Sequence, residues 1–585
     1  MPSRNIPLPV RVAHPPRPQL EHLTDAYFEF LVRCGYEGLY LQDSPFDTAT
    51  GNHGAFKRVF HLIYLYDIAR GADRARYVDY INEVCLRASR HGLRTYLCCW
   101  EPRLPLQAWG ETPPSWRGRG GFAYAGRCNI TSFCWSEPDA VAYWKRMALD
   151  AFEALPAIAG VHLGVVDNEA TFCDETCPRC RGETKARQME DLYATLAEVR
   201  RGRPDFRISI YDWWLPPDLL SRLAGIVGSD ALIIGRSSQG HRQEPFSGEV
   251  EDMTAIFDGC GPAIVERKAQ ADRLGLRLVD MPAWSHPNEA WWLPPAPDPR
   301  YAVEKLHSLR ALGAAGWYDF DCGSTEPGTI TDAMILWTRT PDAPVDALVV
   351  EVLGNIFGEH AGAANAAYEH YRAGKKEYPI AYHDPEVRGF SGRSMGLGSA
   401  FFGPFLLEDL RLLDLGHTFN WFAPFNLVTP TTLPVALPRL EKVTARMRDA
   451  HEAIQAVPSS SPRAAREKDT FEIYYRFYRA IRNYLRLGQA KWDWLERRDG
   501  DARFGQRVRE VADDEWENLV AVETWHARNP DAFFNPCHSL IGWLEEAWPA
   551  HQFRPDLFAA KRESLRALRS GASGGGFPRS PFAAP

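Results

Sequence analysis

The sequence predicts a (β/α)8 barrel followed by a mostly α-helical C-terminal domain. Three observations carry that prediction. Short apolar or β-branched runs alternate with helical patterns from about Leu20 to about Thr340, the pattern of a parallel sheet with crossover helices. Eight such runs can be counted, the number that closes a barrel. Most of them end abruptly in carboxylate, arginine or tryptophan, and a barrel gathers its strand C-termini around one mouth.

Taken in order, the predicted strands are Gly38 to Leu41, Leu93 to Cys98, a weaker run near Tyr124 to Ile130, Val161 to Val166, Phe206 to Ile210, Ala231 to Ile234, Leu276 to Val279, and Ala315 to Tyr318. Helical spacing fills the intervals, as at Tyr77, Ile81, Val84 and Cys85, or at Val141, Trp144, Met147, Ala148 and Phe152. Residues 1–19, rich in Pro and Arg, are expected to be an N-terminal extension, with the barrel over 20–340. Pro341 to Pro344 reads as a boundary, and helical patterns dominate 345–570. The clearest of these sets Phe471, Tyr474, Tyr475, Tyr478, Ile481 and Leu485 on one face, a stripe expected in a core. Glu472 and Arg476, four apart, are expected to pair on the surface. The Gly/Pro/Ser composition of 571–585 predicts a disordered tail.

Composition narrows the function. A chain of 585 residues can bury a large core in more than one domain. A formal charge of −8 leaves no basic footprint for nucleic acid. No apolar run is long enough to cross a bilayer, and the N-terminus lacks a signal-peptide core, so a soluble, cytoplasmic protein without a membrane partner is expected. The 12 Cys, two of them adjacent at Cys98 and Cys99, do not form the framework of a secreted disulfide protein; reduced thiols or a few metal ligands fit better. The 19 Trp and 22 Tyr serve mostly as core, yet a Trp-rich mouth also suits stacking against the apolar faces of sugar rings. The oligomeric state, a homo-oligomer included, stays open.

The strand tips hold the candidate chemistry. Val161 to Val166 runs into Asp167, Asn168 and Glu169, and a carboxyl held against aromatic walls at a rigid strand end can have its pKa raised enough to donate a proton near neutrality. Other tips offer Asp43, Glu101, Arg103, Trp213, Trp214, Arg236, Asp280, Asp319 and Asp321. His53 lies in the Gly51–Asn52–His53–Gly54 run after the first strand, which is first of all a turn. Loops are polar in any case, so convergence of these residues at one mouth, more than any one of them, argues for a barrel with a functional site.

The Asn168–Glu169 pair at the end of a fourth strand resembles clan A of the glycoside hydrolases, barrel enzymes with an acid/base Glu after an Asn at that position and a nucleophilic Glu at or just beyond strand seven. The resemblance implies the acid/base role for Glu169 and the nucleophile role for Glu289 in Trp284–Ser285–His286–Pro287–Asn288–Glu289–Ala290–Trp291–Trp292, with Asp280 as rival; Trp291 of the same segment is a candidate substrate contact. It implies a retaining mechanism without a catalytic cofactor, which needs two carboxyl groups about 5–5.5 Å apart. The segment Glu101 to Pro105, the cysteines after Glu169 and the helical end also look like uncharacterised bacterial proteins grouped loosely with family 20 hexosaminidases and family 67 glucuronidases. That likeness keeps a substrate-assisted reading open, with Asp167 orienting an acetamido group. A non-catalytic carbohydrate-binding barrel is the reading from another class.

Cys173, Cys177 and Cys180 stand at spacings that suit a metal knuckle around structural zinc. Cys128, Cys134 or His162 could supply a fourth ligand. Reduced thiols are the second reading, and an iron–sulfur motif of radical enzymes, which shares the spacing, is the third.

Overall fold

The fold is that of a computed structural model, and the residues described are 7–15, 19–41, 72–100, 103–105, 113–124, 127–164, 173, 177–180, 184–212, 215–243, 249–250, 254–282, 284, 293–319, 327–379, 433–459, 461–496, 499–530 and 557–570. Eight parallel strands close into a barrel: β1 Val10–Ala13, β2 Gly38–Leu41, β3 Arg94–Trp100, β7 Gly160–Gly164, β8 Arg207–Tyr211, β9 Leu232–Gly235, β10 Arg277–Asp280 and β11 Gly316–Tyr318. The closing seam pairs β1 with β11 through Val10↔Gly316, Arg11↔Trp317 and Val12↔Tyr318. The crossover helices are α1 Asp25–Arg33, α2 Ala72–Arg90, α3 Pro138–Ala154, α4 Thr184–Gly202, α5 Pro217–Val227, α6 Pro262–Arg273 and α7 Pro299–Leu312, with α8 Thr329–Arg339 after β11. This is the TIM barrel that the alternating pattern predicts.

Two expectations about the strands are corrected, and the corrections cancel. The run Val10–Ala13, assigned to an N-terminal extension, is the first barrel strand. Only four residues long and flanked by Pro9 and Pro15, it carries Arg11 in an otherwise apolar run, which hid it as a strand. The weaker run near Tyr124 to Ile130 is no barrel strand: it straddles a hairpin of β5 Arg117–Tyr124 and β6 Arg127–Phe133, which joins β4 Arg103–Pro105 in a separate antiparallel sheet of order β4-β6-β5. One strand missed and one invented leave Gly160–Gly164 fourth and Arg277–Asp280 seventh.

The chain divides into two compact units, one of Met1–Ser237, Cys260–Pro282 and His307–Thr325, the other of Ser238–Gly259, Ala283–Leu306 and Glu326–Pro585. The division departs from a single break at Pro341 to Pro344, because α8 and segments after β9 and β10 group with the helical unit. That unit contains α9 Val345–Phe357, α10 Ala361–Glu377, α11 Leu433–Ala456, α12 Pro462–Leu495, α13 Asp501–Arg528 and α14 Leu557–Arg569. Ser461 caps α12 by accepting from the Ala464 N–H at 3.1 Å, and Pro462 starts the helix where no N–H is needed. Phe471, Tyr474, Tyr478, Ile481 and Leu485 are buried as their spacing predicts, whereas Tyr475 is half-buried and stacked on His451 at 5.8 Å. Glu472 and Arg476 pair at 3.8 Å. Lys561 meets Glu515 at 2.6 Å, both fully buried. No described helix is long and apolar enough to cross a membrane.

Candidate active site and cysteine cluster

Register determines which strand residues face the barrel interior. Tyr318 on β11 packs edge-on against His162 on β7 at 5.7 Å, and His162 lies 6.0 Å from Tyr40 and 5.1 Å from Tyr211. These four rings therefore point inward, and alternate residues on the same strands point outward. Ser209 Oγ and the Tyr318 hydroxyl share a 3.4 Å hydrogen bond in the same interior. Burial lowers the His162 pKa from 6.5 to about 3, so this imidazole is neutral. His162 is thus part of the barrel filling and is no fourth ligand to the cysteines. His14, just past β1, is buried and stacks on Tyr40 at 4.7 Å. It went unnoticed among the candidates because β1 itself did.

Parity separates the predicted mouth residues that lie within the described chain. Asp280 pairs in register with Gly235 and with Trp317. A Cβ on Gly235 would meet Ile264 of α6, and Trp317 packs against Tyr36 outside the strands, so both belong to the outer face. Asp280 is turned the same way: it is fully buried and its Oδ1 accepts from the Ser237 N–H at 2.6 Å. That bond ties Asp280 to the start of the loop after β9. Asp319, one past inward-facing Tyr318, is also on the outer side. Its carboxylate lies beside the Tyr36 hydroxyl, whose ionisation is pushed well up by burial and then by the Asp319 charge. Asp319 thus stands beside Tyr36 in the strand–helix layer.

Arg236, the residue after outward Gly235, falls on the inward parity and is fully buried. Its Nη2 donates to the Asp212 carbonyl at 3.4 Å. Asp212 itself bonds Arg267 of α6 at 2.6 Å; burial raises its pKa against the opposing pull of Arg267 and Arg236. Arg103 lies on β4, opposite Ser132 in the antiparallel sheet, rather than at a barrel strand tip. Asp43, His53, Glu101, Asp167, Asn168, Glu169, Trp213, Trp214, Glu289, Trp291 and Asp321 lie outside the described residues.

The three predicted cysteines do converge, and Cys134 joins them. The sulfurs of Cys134, Cys173, Cys177 and Cys180 all lie within 4.8 Å of one another, and all four residues are buried. Cys134 Sγ is 3.6 Å from Cys180 Sγ and 4.0 Å from Cys177 Sγ, far beyond the length of about 2.05 Å of a disulfide. Burial would raise the Cys177 thiol, but the N–H groups of Arg179 and Cys180 and the thiols of Cys173 and Cys180 outweigh it and bring it down to about 6. Cys134, pushed up by burial and by Cys180, stands at about 12. Ser136 Oγ donates to Cys180 Sγ at 3.3 Å. The Arg179 guanidinium, beside Cys134 and Cys177, is held by Glu137 at 2.9 Å. Cys134 follows β6 directly, and its N–H donates to the Trp116 carbonyl at 2.8 Å.

No family model matches the chain, and no curated protein matches it. Solved structures do share its fold. A GH138 enzyme targeting pectin rhamnogalacturonan II superposes with a TM-score of 0.55 at 12% identity over 88% of this chain. The aligned part spans 63% of that enzyme's length, less than two thirds. An O-GlcNAc hydrolase from Thermobaculum terrenum aligns over 97% of this chain and 95% of its own at 9% identity, with a TM-score of 0.38, too low to carry an argument. The likeness to the GH138 enzyme shows the barrel fold and nothing finer.

Proposed function

We propose that the protein is a glycoside hydrolase that cleaves small oligosaccharides or glycosides by a retaining two-carboxylate mechanism. The observation that carries this reading is the strand count: Asp167, Asn168 and Glu169 follow the fourth strand of a closed barrel, and Glu289 follows the seventh. Those are the two positions at which the clan A resemblance expects an acid/base and a nucleophile. The barrel fold shared with a GH138 enzyme supports the same reading.

In this mechanism Glu289 attacks the anomeric carbon while Glu169 gives its proton to the departing glycosidic oxygen, forming a glycosyl ester and a free alcohol. Glu169, now ionised, takes a proton from water, which attacks the anomeric carbon, releases the sugar and restores both carboxyl groups. Asn168 and the buried Arg236 are suited to holding hydroxyls and carboxylates at the mouth. Trp213, Trp214 and Trp291 are proposed to stack on sugar rings, with Asp43, His53, Glu101 and Asp321 as further polar contacts.

A glycoside panel with wild type, Glu169→Ala and Glu289→Gln tests the assignment. Loss of Glu169 should slow substrates with poor leaving groups far more than activated aryl glycosides, which need no proton in the transition state. Azide should then restore turnover of the activated substrate and yield a glycosyl azide of retained configuration. Glu289→Gln should abolish turnover of both. An inverted azide product from Glu169→Ala, or full activity in both variants, refutes the assignment.

A further inference from the structure

We propose that Cys134, Cys173, Cys177 and Cys180 bind one zinc ion as a closed structural site that fastens the loop after the fourth strand to the end of the β5–β6 hairpin.

The geometry points to a single tetrahedral ion, and zinc is the usual metal of a closed four-thiolate site. Four thiolates at about 2.3 Å from one ion, at tetrahedral angles, stand about 3.8 Å from each other. The measured separations of 3.6 and 4.0 Å bracket that value, and no pair exceeds 4.8 Å. An iron–sulfur cubane would need the sulfurs further apart, because several irons and sulfides lie between its ligands. The radical-enzyme motif, suggested by the spacing of Cys173, Cys177 and Cys180, leaves one iron without a cysteine; here the fourth thiol, Cys134, is already in place. Four thiolates also leave no coordination position for water or substrate, so the site is structural.

The surroundings suit the charge of such a centre. Binding releases the thiol protons to solvent and leaves two net negative charges on the metal and its four sulfurs. The Arg179 guanidinium offsets part of that charge while anchored by Glu137. The Cys177 sulfur lies against the N–H groups of Arg179 and Cys180, and Ser136 donates to Cys180 Sγ. Such outer partners orient the ligands and tune affinity.

Among the described residues no disulfide joins these parts of the chain. Cys134 closes β6, and Cys173 lies four residues beyond Glu169 in sequence. Zinc would therefore fix backbone close to the proposed acid, and this consequence, unlike the metal site itself, rests on the glycosidase reading.

Full-length protein purified without chelator should contain one zinc per chain by elemental analysis. Cobalt exchange should give thiolate charge-transfer bands and the visible bands of a tetrahedral ion. Cys134→Ser should lose the metal on dialysis against a chelator. Should that variant fail to fold, Arg179→Ala keeps all four thiols and should bind zinc about 10–100-fold more weakly, read as faster transfer to a chromophoric chelator. Protein without zinc whose four thiols react at once with a maleimide, or protein carrying iron and sulfide, overturns the proposal. Retention of zinc at wild-type affinity in both variants overturns the assigned ligand set. If wild type proves inactive on every glycoside while holding zinc, the metal site stands and the glycosidase reading fails. Normal glycoside turnover in folded, zinc-free Cys134→Ser would refute the link to the active loop alone.

Discussion

Lys561 and Glu515 offer the sharpest test of what holds the helical unit together. Their ion pair is 2.6 Å long, and neither side chain keeps more than 2% of its accessible surface. Glu515 also accepts from Asn483 Nδ2 at 2.9 Å, while Asn518 donates to it at 3.4 Å and to the Arg476 carbonyl at 2.9 Å. Lys561→Met leaves the carboxylate buried without its cation, a change that costs about 3–5 kcal/mol. Glu515→Leu takes away the carboxylate that the buried ammonium meets and also deprives the Asn483 amide of its acceptor, adding about 1–3 kcal/mol. Asn518 keeps the Arg476 carbonyl and adds little. Removing both charges at once removes the cost of an unmatched charge and keeps the Asn483 penalty. The double variant should therefore be more stable than Glu515→Leu by about 3 kcal/mol, although it carries one more substitution. Urea denaturation of the full chain, followed by far-ultraviolet circular dichroism, measures the three differences. Additive effects within about 0.5 kcal/mol would refute the view that these two charges depend on each other.

Two further perturbations test the barrel. His162 is neutral when folded, with a pKa near 3 against 6.5 unfolded, so the unfolded chain binds the extra proton as pH falls and stability drops below pH 6.5. The contribution is at most about 1.4 kcal/mol per pH unit; His162→Phe should flatten the acid limb of stability against pH by that slope, and parallel limbs would count against the burial argument. Gly316 has φ +153°, and a Cβ there would lie 1.6 Å from the Val10 carbonyl oxygen across the β1–β11 seam. Gly316→Ala should cost more than about 3 kcal/mol, whereas Gly92→Ala, at φ +75° with open space around it, should cost about 1–2 kcal/mol. Equal shifts in thermal melting for the two would sink the claim that seam closure requires glycine.

Most of the barrel was legible because its strands are buried on both faces and read as continuous apolar runs. The first strand was not, since four residues with Arg11 in the middle offer neither a run nor a clean alternation. Arg11 lies on the outer face opposite Trp317, bonds the Leu8 carbonyl at 3.4 Å and feels the Glu37 charge. Those contacts are set by tertiary structure and leave no local mark. The hairpin was mistaken for a strand because β5 and β6 pair with each other, and the β propensity of a segment does not say which partner it takes. The cysteine cluster was legible in three members, with Cys134 one of three candidates for the fourth place. Spacing marks Cys173, Cys177 and Cys180, but the fourth member is 39 residues away from Cys173 and becomes a neighbour only through the fold.

Side-chain direction at the strand tips was the least legible feature, and it bears most on mechanism. In β10, Leu278 and Val279 are both apolar and both buried, so no alternation tells on which side Asp280 falls. Register with Gly235 and Trp317 resolves it, and the carboxylate turns outward to the Ser237 N–H. Asp319 follows the same logic on β11, next to inward Tyr318. A carboxylate at a barrel strand end thus counts toward a catalytic mouth only once its parity is known. With Asp280 engaged on the outer face, the proposed retaining mechanism depends on Glu289 as its seventh-strand nucleophile. Full activity in Glu289→Gln would count against Glu289 as the nucleophile, and Asp280→Asn, which keeps an oxygen for the Ser237 N–H, would then separate a rival nucleophile from a mechanism that needs none.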